Sequence, residues 1–179
     1  MHKYFFIGDI GNTESKLCLY RNNKILRYVR LNTKNINTVY LTKKLSIFKK
    51  YNKFLSLVLI SSVVPKVFKY FKIYFKKKKI KCFELKDLNI KKIINIKVNY
   101  NQVGSDRIAN AISIMDNKNN YIVVDFGTAT NFDVIVENSY IGGVIAPGLQ
   151  LSLDNLTKKA SLLPSIKFNK LNNIISKNT

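Results

Sequence analysis

Tyr4-Phe5-Phe6-Ile7-Gly8-Asp9-Ile10-Gly11-Asn12-Thr13, an apolar strand running into an acidic glycine turn, returns later as Tyr121-Ile122-Val123-Val124-Asp125-Phe126-Gly127-Thr128-Ala129-Thr130. Each copy leads into two more strand-like runs. After the first come residues 16–20 and 24–31, joined through Arg21-Asn22-Asn23, whose asparagines suit a hairpin turn. After the second come residues 131–137 and 140–145, joined through Glu137-Asn138-Ser139. A strand, an Asp-x-Gly turn, a strand and a strand, given twice, predict an α/β protein of two duplicated lobes facing one cleft. The expected lobes are residues 1–100 and 101–179, with the boundary near residues 95–118.

Between the copies the periodicity changes. Ile36, Val39, Tyr40, Leu45, Phe48 and Tyr51 recur near helical spacing and predict a helix over residues 36–51. A buried-type strand is expected at residues 54–60, then a helix over 66–78 opened by Pro65, then a short strand near residues 80–84. Residues 86–100 read as irregular. Gly104 and Ser105 precede Ile108, Ala111, Ile112 and Met115 on one face, which predicts a helix starting at that glycine.

All seven glycines fall in four short clusters, around Gly8-Asp9, Gly104-Ser105-Asp106-Arg107, Asp125-Phe126-Gly127 and Gly142 to Gly148, and the first three each hold an aspartate. Glycine lets backbone amides approach an anion, and aspartate can hold a metal or a nucleophile beside it, so the pattern points to phosphate handling. An Asp-x-Gly turn taken alone is also an ordinary strand end. No Walker-type glycine loop occurs. His2 is the single histidine and Cys18 and Cys82 have no CxxC spacing, which excludes catalysis by a histidine base and zinc sites built on His and Cys. With 46% apolar residues the chain can bury a core, yet no apolar run reaches the roughly 20 residues a bilayer requires. A cytoplasmic protein is expected. The formal charge of +21 is almost all lysine, which fits nonspecific polyanion affinity better than base readout.

Paired Asp-x-Gly turns resemble the ATPase fold shared by actin, the sugar kinases and the heat-shock ATPases, two ribonuclease H-like lobes around a nucleotide cleft. The order Asp9 to Thr13, Gly104 to Arg107 with Asn110 one turn on, Asp125 to Thr130 with Phe132-Asp133, and Gly142 to Gly148 followed by Leu162-Leu163-Pro164 is similar to type III pantothenate kinases over residues 4–179. The resemblance implies transfer of the ATP γ-phosphoryl group to pantothenate, the first step toward coenzyme A. It places Asp9, Ile10, Gly11, Asn12, Thr13, Glu14, Ser15, Lys16 and Thr128 around ATP, with Asp9 associated with Mg²⁺. Gly104, Ser105, Asp106, Arg107 and Thr179 would meet pantothenate, with Asp106 the proton acceptor, kept ionised by its helix start. Asp125 would hold a monovalent cation, K⁺ or NH₄⁺, and Gly142 to Gly148 the adenosine end. A homodimer is implied.

Arg107 reads either as a fork for pantothenate's carboxylate or as an ion pair with a nearby aspartate, and Asp133 either as a hydrogen-bond acceptor behind the site or as a strand-face acid. Two departures from the family pattern are visible. Lys97 and Tyr100 stand where the family pattern has a pocket tyrosine and a proline, so the resemblance implies Tyr100, by a register shift, as the substitute wall of the pantothenate pocket. Relatives also continue past the position of Thr179, so the second lobe reads as truncated, in a fragment or in a shortened product. Competing readings are a degenerate nucleotide-binding protein and a transcription-associated regulator of the same fold.

Overall fold

In the computed structural model, residues 4–160 are described, so Thr179 and the Leu162-Leu163-Pro164 segment lie outside the described residues. Strands β1 (Tyr4–Ile10), β2 (Glu14–Arg21) and β3 (Lys24–Asn32) form an antiparallel meander, and β4 (Leu55–Ser62) and β5 (Cys82–Glu84) extend it by parallel pairing. The order is β3-β2-β1-β4-β5. Alternation along β1 sends Phe6, Gly8 and Ile10 to one face and Ile7 and Asp9 to the other, so the same strand builds core and site.

The core face is covered by α1 (Thr38–Lys44) and α2 (Pro65–Lys76). Pro65 opens α2 with the fixed φ that a first helical residue needs. Val67, Phe68, Phe71, Tyr74 and Phe75 then make its buried stripe, and Phe6 meets Phe48 edge to face with ring centroids 4.8 Å apart. Each such fully buried side chain contributes about 1.5–3 kcal/mol relative to exposure. The helix expected over residues 36–51 is instead the short α1 followed by a 3₁₀ stretch over Leu45–Phe54. The Ser46 hydroxyl donates to the Lys43 carbonyl at 2.7 Å, competing with the regular ladder where the helix tightens, while Leu41, Leu45 and Phe48 remain buried.

The second sheet has the order β6-β9-β8-β7, built from β6 (Asn95–Ile96), β7 (Asn120–Phe126), β8 (Ala129–Val136) and β9 (Ser139–Pro147). Its antiparallel β7-β8-β9 meander repeats β1-β2-β3, as the sequence repeat predicts, while the parallel strands that extend the first sheet beside β1 have no counterpart beside β7 among the described residues. Between the sheets lies α3 (Ser105–Ile114), which packs on β4 of the first and on β7 and β8 of the second. Leu85, Ile90 and Ile94, which precede the second lobe as read from the sequence, already pack with Val103, Ile108, Ala111, Ile135 and Tyr140 in the second core. α4 (Leu149–Lys159) follows β9. No described helix is long and apolar enough to cross a membrane.

Candidate active site

A cavity of about 570 Å³ opens between the lobes, and Asp9, Asp106 and Asp125 all line it, with Lys16, Ser61 and Asn110. They arrive from β1, α3 and β7, three elements far apart in sequence. The repeat explains two of these arrivals. Asp9 and Asp125 each stand near the end of the first strand of a meander, facing away from the helix-covered side or toward α3.

The turns that follow them also meet. Thr13 Oγ1 and Thr128 Oγ1 lie 2.9 Å apart, hydroxyl to hydroxyl across the cleft. The Gly11 amide donates to the Glu14 carbonyl at 3.1 Å and the Gly127 amide to the Ala129 carbonyl at 3.0 Å, so each turn closes on its own glycine, the second one residue tighter than the first. Gly148 packs against the second turn: its amide donates to the Thr128 carbonyl at 3.1 Å, and a Cβ there would collide with the carbonyls of Gly127 and Thr128. That glycine, read from the sequence as part of the adenosine end, here permits the close approach of the start of α4 to the Gly127-Thr128 turn.

Not every residue expected around ATP turns its side chain to the cleft. Ile10 is in the first core, and the buried Ser15 hydroxyl pairs with that of Thr33 at 2.9 Å. Glu14 bridges Lys16 at 3.9 Å and Arg30 at 3.7 Å. Tyr100 lies outside the cavity lining, with the Lys86 ammonium 4.9 Å from its ring centroid and donating to its carbonyl at 3.0 Å. The Lys97 amide donates to the Tyr140 carbonyl at 2.9 Å, tying that position to β9.

Asp106 sits in the first turn of α3, its Oδ1 accepting from the Arg107 amide at 2.8 Å. A Cβ at position 104 would collide with that same oxygen, which accounts for the glycine before it. The expectation that the helix start lowers this carboxyl meets a larger opposing effect. Burial pushes Asp106 above the ordinary carboxylate range, the Arg107 amide opposes the rise, and the charge of Asp125 adds to it. Burial likewise raises Asp9, with Asp106 adding and Lys16 opposing. Asn110, one turn along α3, donates to Asp125 Oδ2 at 3.3 Å.

Arg107 turns away from the cavity. Its Nε and Nη2 both reach Asp133 Oδ1 at 2.7 Å, and the Tyr140 hydroxyl donates to the same oxygen at 2.6 Å. Asp133 is fully buried, so of its two readings the geometry is that of an acceptor behind the site. For Arg107 the geometry is the aspartate ion pair, not an open fork. Burial, then the hydrogen bond to Asp133, pushes the Tyr140 phenol far up, fixing it as a donor. Tyr140 is the residue that sequence reasoning missed, and Gly143, read there only as part of the adenosine end, belongs to the same junction. Gly143 stands opposite Asp133 in the β8–β9 register, and a Cβ there would strike the Phe132 carbonyl and the Arg107 guanidinium. Alternation in the structure buries Asp133 with Ile135, but Phe132, Val134 and Val136 make the opposite face of β8 the more apolar in sequence, and nothing local reveals that an arginine comes to meet Asp133.

Comparison with known proteins adds a family. A family model described as type III pantothenate kinase matches residues 5–179. A type III pantothenate kinase of Pelagibacter ubique (strain HTCC1062) is 57% identical over 175 residues, which cover 97% of this chain and 71% of that protein. One from Thermosipho melanesiensis is 34% identical over 177 residues, covering 96% and 70%. Among solved structures, a conserved protein of the Baf family from Campylobacter jejuni superposes with a TM-score of 0.51 at 20% identity, over 86% of this chain and 59% of that one, a likeness of fold alone.

Proposed function

The chain belongs to the type III pantothenate kinase family, whose reaction is the ATP-dependent phosphorylation of pantothenate in coenzyme A biosynthesis, and within that reaction we propose that Asp106 accepts the proton of the attacking hydroxyl. The observation that carries this reading is the convergence of Asp9, Asp106 and Asp125 on one cavity from three separate elements. The triphosphate would lie between the two turns, with the amides of Asn12, Thr13 and Thr128 directed at its oxygens and the two threonine hydroxyls exchanging each other for phosphate. Phosphoryl transfer requires mostly alignment and charge neutralisation, and an acceptor for one proton.

Cations fit this site because it is acidic: after burial, the charges of Asp106 and Asp125 raise Asp9, and that of Asp125 raises Asp106. Among the described residues no three carboxylate, Cys or His side chains come close enough to hold a metal by themselves. We therefore assign Mg²⁺ to Asp9 together with the ATP phosphates, and K⁺ or NH₄⁺ to Asp125. The divalent ion would supply neutralisation of charge on the transferring group. Lys16, facing Asp9 across the β1–β2 register, would supply further positive charge. A coupled assay of ADP release tests the proposal: turnover should require pantothenate and fall when Na⁺ replaces K⁺. Release that ignores pantothenate would contradict it.

Two more outcomes follow from the geometry. Thr128→Val removes one hydroxyl from the turn pair, and a hydrogen bond to a charged phosphate contributes about 1.5–3 kcal/mol, so KM for ATP should rise at least about tenfold in steady-state kinetics. The pH profile follows from Asp106. The working form is ionised, and the folded carboxyl is raised above 3.8, so the acid limb of kcat/KM should lie above that value. The linked stability has the matching sign: between the unfolded and the raised folded values the native state holds more protons, so stability falls as pH rises through that window. A limb at or below 3.8 would remove Asp106 from the role.

A further inference from the structure

Sharing no lining residue with the carboxylate cleft, the C-terminal half of α2 and the edge strand β5 border a second hollow of about 520 Å³. Four lysines line it, Lys72, Lys76, Lys79 and Lys81, over a floor of Ile80, Cys82 and Phe83. We propose that this groove binds a ligand carrying contiguous phosphate groups.

The argument begins with charge. None of the four lysines forms an ion pair among the described residues, and no acidic side chain lines the hollow. Asp87 is the nearest acid with a resolved influence, acting on Cys82 against the larger effect of Lys72. Its Oδ2 already accepts from the Glu84 amide. Lys72 and Lys76 stand one helical turn apart on one face, a like-charge pair that opposes the helix it sits on. A helix C-terminus attracts cations, which accounts for Lys76 and its neighbours. It does not account for Lys81, which lies beyond the helix and immediately before β5.

Lys79 adds a conformational observation. Its φ of +57° is left-handed, at the position after α2 where the Ile80 amide returns to the Phe75 carbonyl at 3.1 Å. Helices close this way on glycine or asparagine. Among the described residues, three of the five non-glycine positions with positive φ are asparagines, so the chain uses that solution elsewhere. A lysine at position 79 closes the helix less easily and brings a fourth ammonium to the groove. The apolar floor limits solvent screening, and the hollow has the size of a small molecule, not of an extended stripe along a nucleic acid. Lysine is a point-charge ligand for phosphate, suited to a compact cluster of oxygens.

The test compares two variants with equal loss of charge. One replaces the groove lysines (K72Q, K76Q, K79Q and K81Q), the other replaces exposed lysines elsewhere (K43Q, K49Q, K91Q and K118Q). Sodium tripolyphosphate is titrated calorimetrically at about 150 mM salt, where diffuse attraction is screened. Wild type and the control variant should take up one more equivalent than the groove variant, or bind at least about tenfold more tightly. Repeating the titration with ATP identifies the source: an extra equivalent of ATP makes it a nucleotide, uptake of tripolyphosphate alone an inorganic chain. Pantothenate-dependent ADP release should be unchanged in the groove variant, showing that its fold is intact and that the groove is independent of the kinase site. Equal binding by both variants would overturn the proposal, as would a single-stranded oligonucleotide outcompeting tripolyphosphate at the groove.

Discussion

Asp106→Asn should lower kcat for pantothenate phosphorylation by about 10²–10⁴-fold while ATP binding survives. Asparagine keeps the shape of the side chain and can still accept from the Arg107 amide through its oxygen, so the start of α3 is preserved. What it loses is the capacity to take a proton. Asp106 and Asp9 raise each other's resting energy, and Asp125 adds to both, so removing the charge at position 106 relieves the site and should leave nucleotide affinity equal or higher. Single-turnover ADP release separates the two effects, since binding and chemistry are then read apart. A variant within about threefold of wild type in kcat would show that alignment alone carries the step and that Asp106 is a positioning carboxylate.

The part of this site that could be read from the sequence is the part the repeat encodes. Asp9 and Asp125 each follow an apolar strand, each precede a glycine turn, and the structure brings both to one cavity with Asp106. The uniformly apolar runs before them hide which face each takes, Asp9 standing opposite the core face of β1 and Asp125 on the face of Tyr121 and Val123, and what was legible is the repeated order of apolar strand and glycine turn. The meanders were legible for the same reason, including the hairpin asparagines, Asn22 and Asn23, at φ of 49° and 58°. The region over residues 36–51 was less so, because apolar spacing does not distinguish an α-helix from a 3₁₀ continuation that buries the same Leu45 and Phe48. Arg107 was the hardest. Its role depends on Asp133, which lies 26 residues on, and on Gly143, whose missing side chain opens the path between them. The glycine's own cluster suggested a nucleotide turn, and nothing local in either segment points to the other.

That buried junction supports the largest expected effect on stability. Asp133→Leu should destabilise the fold by about 3–5 kcal/mol in urea unfolding, because it leaves the Arg107 guanidinium, 11% exposed, without its counter-charge and the Tyr140 hydroxyl without its acceptor. Gly143→Ala should disturb the same junction from the opposite strand, since its methyl meets the Phe132 carbonyl and the guanidinium at once. The double variant Arg107→Met with Asp133→Leu should recover much of the lost stability, because a buried ion pair replaced on both sides by apolar groups is often neutral. Activity should not recover with it. The ion pair anchors the residue directly after Asp106 to β8, and Asp106 takes its orientation from the amide of that residue. If the double variant regained full kcat along with its stability, the pair would serve packing alone, and the geometry of Asp106 would be set by α3 and Gly104 without help from the second sheet.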